Sequence, residues 1–320
     1  MSVGRLERRK QMMQEQAVLD SRLLVVENQL EKSTLEKVND PFLKAAGVHL
    51  WMKRDDRLHP IISGNKWRKL KYIVEHALSL QARCLISMGG QYSNHLHALA
   101  FVGKQLALPT VAWIRGDPPL ELNRTLKDLA DWGMELHFIS RSEYRELRKI
   151  KDYDGLPEKY GTGYWLSEGG ANPLALKGVA ELVGEISEPC DYFCLPCGTG
   201  TTLSGIASTV TGDFTVLGFV AFKGGAYLKD EISALLPHQV ARQSWQLNLD
   251  YHFGGFAKTS PQLLAFVDDF SATTGIMIEP TYTGKMLYGI YDLVKQNYFK
   301  KGQSIIALHT GGLQSIRAPR

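Results

Sequence analysis

From about residue 48 onward the sequence predicts an α/β protein of mostly parallel sheets, with helices covering both faces. Short apolar runs recur along this stretch, and most stop at a glycine or another turn residue, as fully buried strands do. Between them lie segments in which apolar residues return at helical spacing. The 320 residues, 44% hydrophobic and 22% charged, are ordinary globular material and suffice for one large or two medium cores.

In chain order, residues 1–32 are polar and basic with scattered leucines, and predict one or two surface helices. Apolar runs predict buried strands at 84–88, 110–114, 136–140, 192–195, 216–221 and 305–308. Helical spacing predicts helices at 94–106, 121–132, 174–186 and 203–210. Another helix begins near Lys66, with Leu70, Ile73, Val74, Ala77 and Leu78 on its buried face. Segment 152–162 is rich in glycine, charge and proline, and is expected to link two lobes. The chain carries no internal repeat and no low-complexity tract.

Composition narrows the function. The net charge of +4 is spread without a long basic run, so nucleic acid is not an expected partner. Four cysteines (Cys84, Cys190, Cys194, Cys197) do not make a secreted disulfide framework. No apolar stretch approaches the roughly 18 residues of a membrane span. The first residues lack the apolar core of a signal peptide, and Glu7, Glu15 and Asp20 argue against a mitochondrial presequence. A cytosolic enzyme is the expectation.

Chemistry is carried by five short runs. In Ser63-Gly64-Asn65-Lys66-Trp67-Arg68-Lys69-Leu70 a lysine follows a glycine turn at the first turn of a helix. The helix dipole disfavours a cation there, and burial acts in the same direction. An uncharged amine can form an imine with an aldehyde cofactor or a carbonyl substrate. A lone lysine of this kind is nevertheless most often a solvated basic residue. Gly198-Thr199-Gly200-Thr201-Thr202-Leu203-Ser204-Gly205 follows a predicted strand and offers amides and hydroxyls to a phosphate. Leu203 breaks the dinucleotide fingerprint and no Gly-Lys-Ser/Thr follows, so the run is either another kind of phosphate turn or a plain strand-to-helix turn.

Met88-Gly89-Gly90-Gln91-Tyr92-Ser93-Asn94-His95 is again strand, glycine turn and helix start. There Ser93 or Asn94 either caps the helix or holds a carboxylate. Glu279-Pro280-Thr281-Tyr282-Thr283-Gly284-Lys285 and His309-Thr310-Gly311-Gly312 place hydroxyls on loops at strand ends, where α/β sheets bind ligands. Taken alone, Tyr282 is more often a core or surface aromatic. No metal site is expected. Cys194 lies in a predicted strand, no second Cys-x-x-Cys or nearby histidine completes a tetrahedron, and His95 and His97 face different ways on one helix.

Together, Gly-Asn-Lys-x-Arg-Lys-Leu, Gly-Gly-x-x-Ser-Asn, Gly-Thr-Gly-Thr-Thr, Pro-x-Tyr-x-Gly-Lys and His-x-Gly-Gly, in this order, resemble one family. It is the 1-aminocyclopropane-1-carboxylate deaminase / D-cysteine desulfhydrase family of pyridoxal-phosphate enzymes, in the fold shared with the tryptophan synthase β subunit. The resemblance runs from about Ser33 to Thr310. It implies two open, mostly parallel twisted sheets flanked by helices, with the cofactor in the cleft between domains. The small domain would be 66–175, the large one 33–65 and 176–320, and 1–32 an N-terminal helical extension.

The resemblance also makes Lys66 the lysine bonded to the cofactor and puts Lys69 on its phosphate, with Gly198, Thr199, Gly200, Thr201 and Thr202 as the cradle. It puts Asn94 on the ring hydroxyl, Tyr282 against the ring and Thr283 at its nitrogen. Ser93, Asn94, His95 and Thr310 would meet the substrate, with Lys66, Ser93 and Tyr282 as the catalytic groups. It further implies a homodimer acting on a small amino acid.

Within the family, the cyclopropane deaminases carry Glu after the motif tyrosine and Leu in His-x-Gly-Gly, whereas this chain has Thr283 and Thr310. A carboxylate at the pyridine nitrogen keeps it protonated and makes the ring a strong electron sink, which expelling a carbon requires. A hydroxyl stabilises that proton much less but suffices where a thiolate leaves. The expected reaction is therefore α,β-elimination from D-cysteine to pyruvate, ammonia and hydrogen sulfide. The alternatives are cyclopropane opening to 2-oxobutanoate and ammonia, or cofactor binding with low activity. Phe256 stands where relatives have a second active-site tyrosine, and His97 where they often have Arg.

Overall fold

The computed structural model describes residues 19–209, 214–236 and 245–313. Ten strands are formed among them: β1 (Leu35–Lys37), β2 (His49–Lys53), β3 (Leu85–Gly89), β4 (Thr110–Arg115), β5 (Met134–Ile139), β6 (Tyr164–Leu166), β7 (Tyr192–Cys197), β8 (Thr215–Val220), β9 (Trp245–Asn248) and β10 (Ser304–Leu308). They make a six-stranded sheet in the order β1-β2-β10-β7-β8-β9 and a four-stranded sheet in the order β5-β4-β3-β6. Every pairing is parallel except β1 with β2.

Five helices position the candidate site: α1 (Lys66–Ser79), α2 (Asn94–Leu106), α3 (Pro173–Gly184), α4 (Thr201–Ala207) and α5 (Thr283–Lys295). The apolar stripe of α1 is buried with Leu85, Leu96, Leu99 and Ile114 on the four-stranded sheet. α3 lies so close to α1 that a Cβ on Gly178 would stand 2.0 Å from the Arg68 carbonyl oxygen. Asn172 caps α3 and Pro173 opens it, a residue pair suited to a helix start.

All six predicted strands are present within one or two residues. β3, β7, β8 and β10 are apolar runs buried along nearly their whole length, whereas β4 and β5 are partly exposed. The predicted helices are also present, although Val210 lies outside the described residues. Strands β1, β2, β6 and β9 were not legible. β6 is three residues long, β9 carries Gln246 and Asn248, and β2 ends on a charge. That charge, Lys53, is fully buried and satisfied by the Ser33 carbonyl (2.6 Å) and the Glu185 carboxylate (2.7 Å).

Two expectations need correction. Segment 152–162 does not join two lobes, since β6 directly follows it and pairs with β3 in the four-stranded sheet. The segment folds back on that sheet, with the Trp165 amide donating to the Tyr153 carbonyl (2.8 Å) and Tyr153 stacked on Tyr164. The N-terminal region is not purely superficial either. Leu23 and Val26 are buried in the core under α1 and α2, and Trp67 donates to the Glu27 carboxylate. The expectation for residues 1–18 lies outside the described residues. Among the described residues, no helix is long and apolar enough to cross a membrane.

A buried charge network fixes the start of α1 relative to the six-stranded sheet. The Arg68 guanidinium bonds both oxygens of Asp55 (2.8 and 3.0 Å) and both of Glu185 (2.7 and 2.9 Å). Bidentate pairing on both sides defines one orientation of the side chain.

Candidate active site

Five turns converge: the one before α1, those after β3, β7 and β10, and the one before α5. Gly64, at φ +73°, is packed on the β10 turn so tightly that a Cβ would stand 1.8 Å from the Thr310 carbonyl oxygen. A Cβ on Gly311 would meet Ser63 Oγ at 2.5 Å, and one on Gly312 would meet Asn94 Nδ2 at 3.1 Å and Glu279 at 3.5 Å. Asn65 Nδ2 donates to Thr202 Oγ1 at 2.8 Å, tying the lysine turn to the Gly/Thr turn. Gly198 is backed by Tyr282, whose hydroxyl lies 3.4 Å from where a Cβ would be. All five sequence motifs are thus brought together.

Lys66 opens α1 as a half-buried residue whose amine donates to Asn65 Oδ1 at 2.5 Å. Burial lowers its pKa from 10.5 to about 8, against the pull of the Glu279 carboxylate. Lys69, one turn on, is buried, and its Nζ reaches the Gly169 carbonyl at 3.5 Å. Burial first, then the charge of Lys66, lowers it to about 7. Two amines crowded in a poorly solvated place repel one another, and an anion between them relieves the strain. A direct consequence is testable on the cofactor-free protein. The uncharged fraction of Lys66 rises with pH through about 8, so the rate of pyridoxal-phosphate capture, followed by visible absorbance, should rise and level off there. A rate still climbing toward the ordinary lysine value would contradict the burial of this amine.

The 198–202 turn has Gly200 in the left-handed region at φ +74°, as the residue preceding α4. Thr199 and Thr201 hydroxyls lie 2.9 Å apart, and Thr201 and Thr202 are buried. The first amides of α4 have no partner within the helix. Ser93 caps α2 by accepting from the Leu96 amide at 3.2 Å, which leaves its own hydrogen to donate. Asn94 is the first residue of α2, beside Gly312.

His95 is buried behind this turn, near Gly170 and Lys69. Ser87 Oγ donates to the Leu166 carbonyl at 2.8 Å, so at 2.9 Å from His95 Nε2 it accepts. His95 is therefore protonated on Nε2, and its buried Nδ1 has no hydrogen-bond partner. Burial, then Lys69 and Lys66, lowers its pKa to about 3, which keeps the ring neutral. His97 turns the other way, onto Asp128 (3.0 Å) and the Trp132 ring. Thr310 is buried, with its carbonyl against Gly64.

Sequence reasoning did not single out Glu279. Its fully buried carboxylate accepts from the amides of Thr281 (2.5 Å), Tyr282 (3.0 Å) and Thr283 (2.6 Å). Burial raises its pKa to about 7 while these amides oppose the rise. A carboxylate just ahead of a helix start was the available signal. Thr283 Oγ1 is buried close to this carboxylate yet makes no well-formed hydrogen bond. Tyr282 is pushed above its ordinary pKa by burial, then by Glu279. Asn65, quoted in its motif but given no role, and Gly169, absent from the sequence reading, are two further site residues.

Residues 32–311 match the family described as pyridoxal-phosphate dependent enzyme, and the chain belongs to that family. It is 31% identical over 297 residues to the bifunctional D-cysteine desulfhydrase/1-aminocyclopropane-1-carboxylate deaminase, mitochondrial, of Arabidopsis thaliana, covering 84% of this chain and 74% of that protein. It is 28% identical over 295 residues to the D-cysteine desulfhydrase of Klebsiella pneumoniae, covering 85% and 89%. A solved structure of an ACC deaminase homologue overlays with a TM-score of 0.74 at 25% identity, covering 91% of this chain and 94% of the other. The resemblance read from the five motifs is confirmed as this family, a pyridoxal-phosphate-dependent lyase with a tryptophan synthase β-like fold.

The residues fit the cofactor. Two crowded amines suit an aldehyde and a phosphate, the 198–202 turn suits the phosphate, and the orphaned Thr283 hydroxyl suits a ring nitrogen.

Proposed function

We propose that this protein catalyses α,β-elimination on a small β-substituted amino acid, D-cysteine foremost. The overall balance is D-cysteine and water to pyruvate, ammonium and hydrogen sulfide. The observation that carries the reading is the start of α5. The acid there, Glu279, accepts from three backbone amides. The Thr283 hydroxyl is buried beside it without a well-formed hydrogen bond, which supports Thr283 as the group offered to the ring nitrogen. A hydroxyl is the weaker support for a protonated ring, and it suits a leaving thiolate rather than a leaving carbon.

In this proposal Lys66 holds the cofactor aldehyde. Lys69 and the 198–202 turn hold the phosphate, Asn94 the ring hydroxyl, Tyr282 one ring face and Thr283 the ring nitrogen. When bound, the cofactor supplies an electron sink for the pair released at the substrate α-carbon. The Lys66 amine, with a pKa of about 8, can hold or release a proton near neutral pH. The Ser93 hydroxyl, free to donate, orients the substrate carboxylate, with Asn94, His95 and Thr310 around it. Phosphate-side residues Lys69 and Gly169 close the far end of the site. The small lobe is taken as 66–175 and the large one as 33–65 with 176–320, supported by the partition of strands between the two sheets. A homodimer belongs to the proposal through the resemblance, and a cytosolic setting through the composition of the chain.

The test is product formation by the cofactor-loaded protein. Sulfide and pyruvate from D-cysteine, with far less from L-cysteine, is the expected result. Release of 2-oxobutanoate from 1-aminocyclopropane-1-carboxylate without sulfide from D-cysteine favours the second reading, which the bifunctional Arabidopsis relative keeps in view.

A further inference from the structure

Lys285 belongs to the Pro-x-Tyr-x-Gly-Lys motif, and the chemistry above gives it no part. It is buried, and its three N–H groups are spent on carbonyls: Ala221 (2.9 Å), His252 (3.0 Å) and Gly255 (2.8 Å). Burial pushes its pKa down to about 8, while the Glu279 charge opposes the fall. Three carbonyl dipoles around one ammonium favour the charged form further. Ala221 follows the end of β8, so the lysine pins residues 252–255 to the sheet.

The pinned turn is strained. Phe253 and Ala257 have φ of 53° and 55°, flanking Gly254 and Gly255 at 89° and 146°. Non-glycine residues in the left-handed region each cost on the order of 1 kcal/mol, and such backbone persists where the surroundings over-determine it. Phe253 supplies a second anchor by packing edge-on against Tyr288 at 5.0 Å. What the turn displays is Phe256, a phenylalanine left 51% exposed with its ring set against Tyr282 at 5.5 Å and 71°. Core packing does not account for a half-exposed aromatic on a strained, doubly anchored turn at the lip of the site.

We propose that Phe256 is the specificity-determining contact for the substrate's β-substituent, and that Lys285 is the positioning residue that holds it there. The pocket then accepts, besides D-cysteine, amino acids bearing a hydrocarbon group beyond the β-carbon, and Phe256 supplies the contact that holds that group. The inference rests on the proposed elimination reaction. For an S-substituted substrate the balance is R–S–CH2–CH(NH3+)–COO− and water to R–SH, pyruvate and ammonium. The Cβ–S bond breaks with its electron pair on sulfur, the α-proton is lost, and the released thiolate takes up a proton.

Two readouts test it. D-Phenylalanine and D-alanine lack a leaving group, and calorimetric titration of the loaded protein gives their affinity ratio. Phe256→Ala should lower the preference for D-phenylalanine about tenfold, the scale of a lost hydrocarbon contact. Lys285→Met should lower it likewise, and in turnover should raise KM for S-benzyl-D-cysteine more than it lowers kcat. The kcat/KM ratio of S-benzyl-D-cysteine to D-cysteine should fall with Phe256→Ala as well. An affinity ratio unchanged in Phe256→Ala, with its thermal midpoint intact, overturns the inference even if Lys285→Met fails to fold. Absence of turnover on both D-cysteine and S-benzyl-D-cysteine overturns the elimination reading instead, while the affinity ratio still decides the role of Phe256.

Discussion

Lys66→Ala is expected to leave a folded protein that no longer acquires visible absorbance from pyridoxal phosphate. Turnover should fall by at least about 10^4-fold, the scale seen when a covalent catalytic group is removed. The fold should survive because Lys66 is only half-buried and its one described side-chain bond is to the neighbouring Asn65. Lys66→Arg provides the control for charge. It keeps a cation at the start of α1 but offers no amine that can lose its proton, and it should be as inactive as alanine. Activity in either variant above a hundredth of the original would mean that another amine does the work. Lys69 is the neighbour to suspect, since burial leaves it, too, far below an ordinary lysine.

Gly64→Ala should produce the largest structural effect of any single methyl group added to the site. The position has φ +73°, where a side chain costs about 1–2 kcal/mol. The new Cβ would also stand 1.8 Å from the Thr310 carbonyl oxygen and 2.2 Å from its carbon, both of them backbone atoms. Neither turn can yield without moving its ligand groups, because Asn65 is tied to Thr202 and Gly311 is packed on Ser63. The expected loss is about 3 kcal/mol or more of unfolding free energy by denaturant titration, with a clear drop in cofactor affinity. An alanine variant of full stability would show that the lysine turn and the β10 turn do not meet as described. Gly133, also at positive φ but with open space around it, serves as the comparison and should cost only the backbone term.

The fold was legible where one physical rule dominated. Strands β3, β7, β8 and β10 are buried along nearly their whole length, so their apolar runs stand out. β4 and the edge strand β5 keep enough apolar residues to be read despite exposed Arg115 and Glu135. β2 hid behind Lys53, whose burial is made tolerable by Glu185, a residue 132 positions away. No local pattern announces such a partner. The helix dipole and burial argument for Lys66 predicted the direction of its pKa shift, and Ser93 proved to cap α2 as one of its two readings allowed.

What stayed hidden were roles filled by backbone. Glu279 is held by three amides, Lys285 by three carbonyls, and the His95 tautomer follows from where the Ser87 hydrogen goes. The amides and carbonyls in these contacts, the Leu166 carbonyl that takes the Ser87 hydrogen among them, have no side-chain identity that a sequence could display. The close approach of Gly64 to Thr310 is the same kind of case, since a glycine before a lysine gives no hint of which carbonyl it must admit.

Borohydride reduction of the cofactor-loaded protein, followed by peptide mapping, measures directly which amine meets the cofactor aldehyde. The geometry predicts a single pyridoxyl group on Lys66, in the peptide that begins the first helix of the site. A pyridoxyl group on Lys69 or Lys285, or none on any lysine, would contradict it.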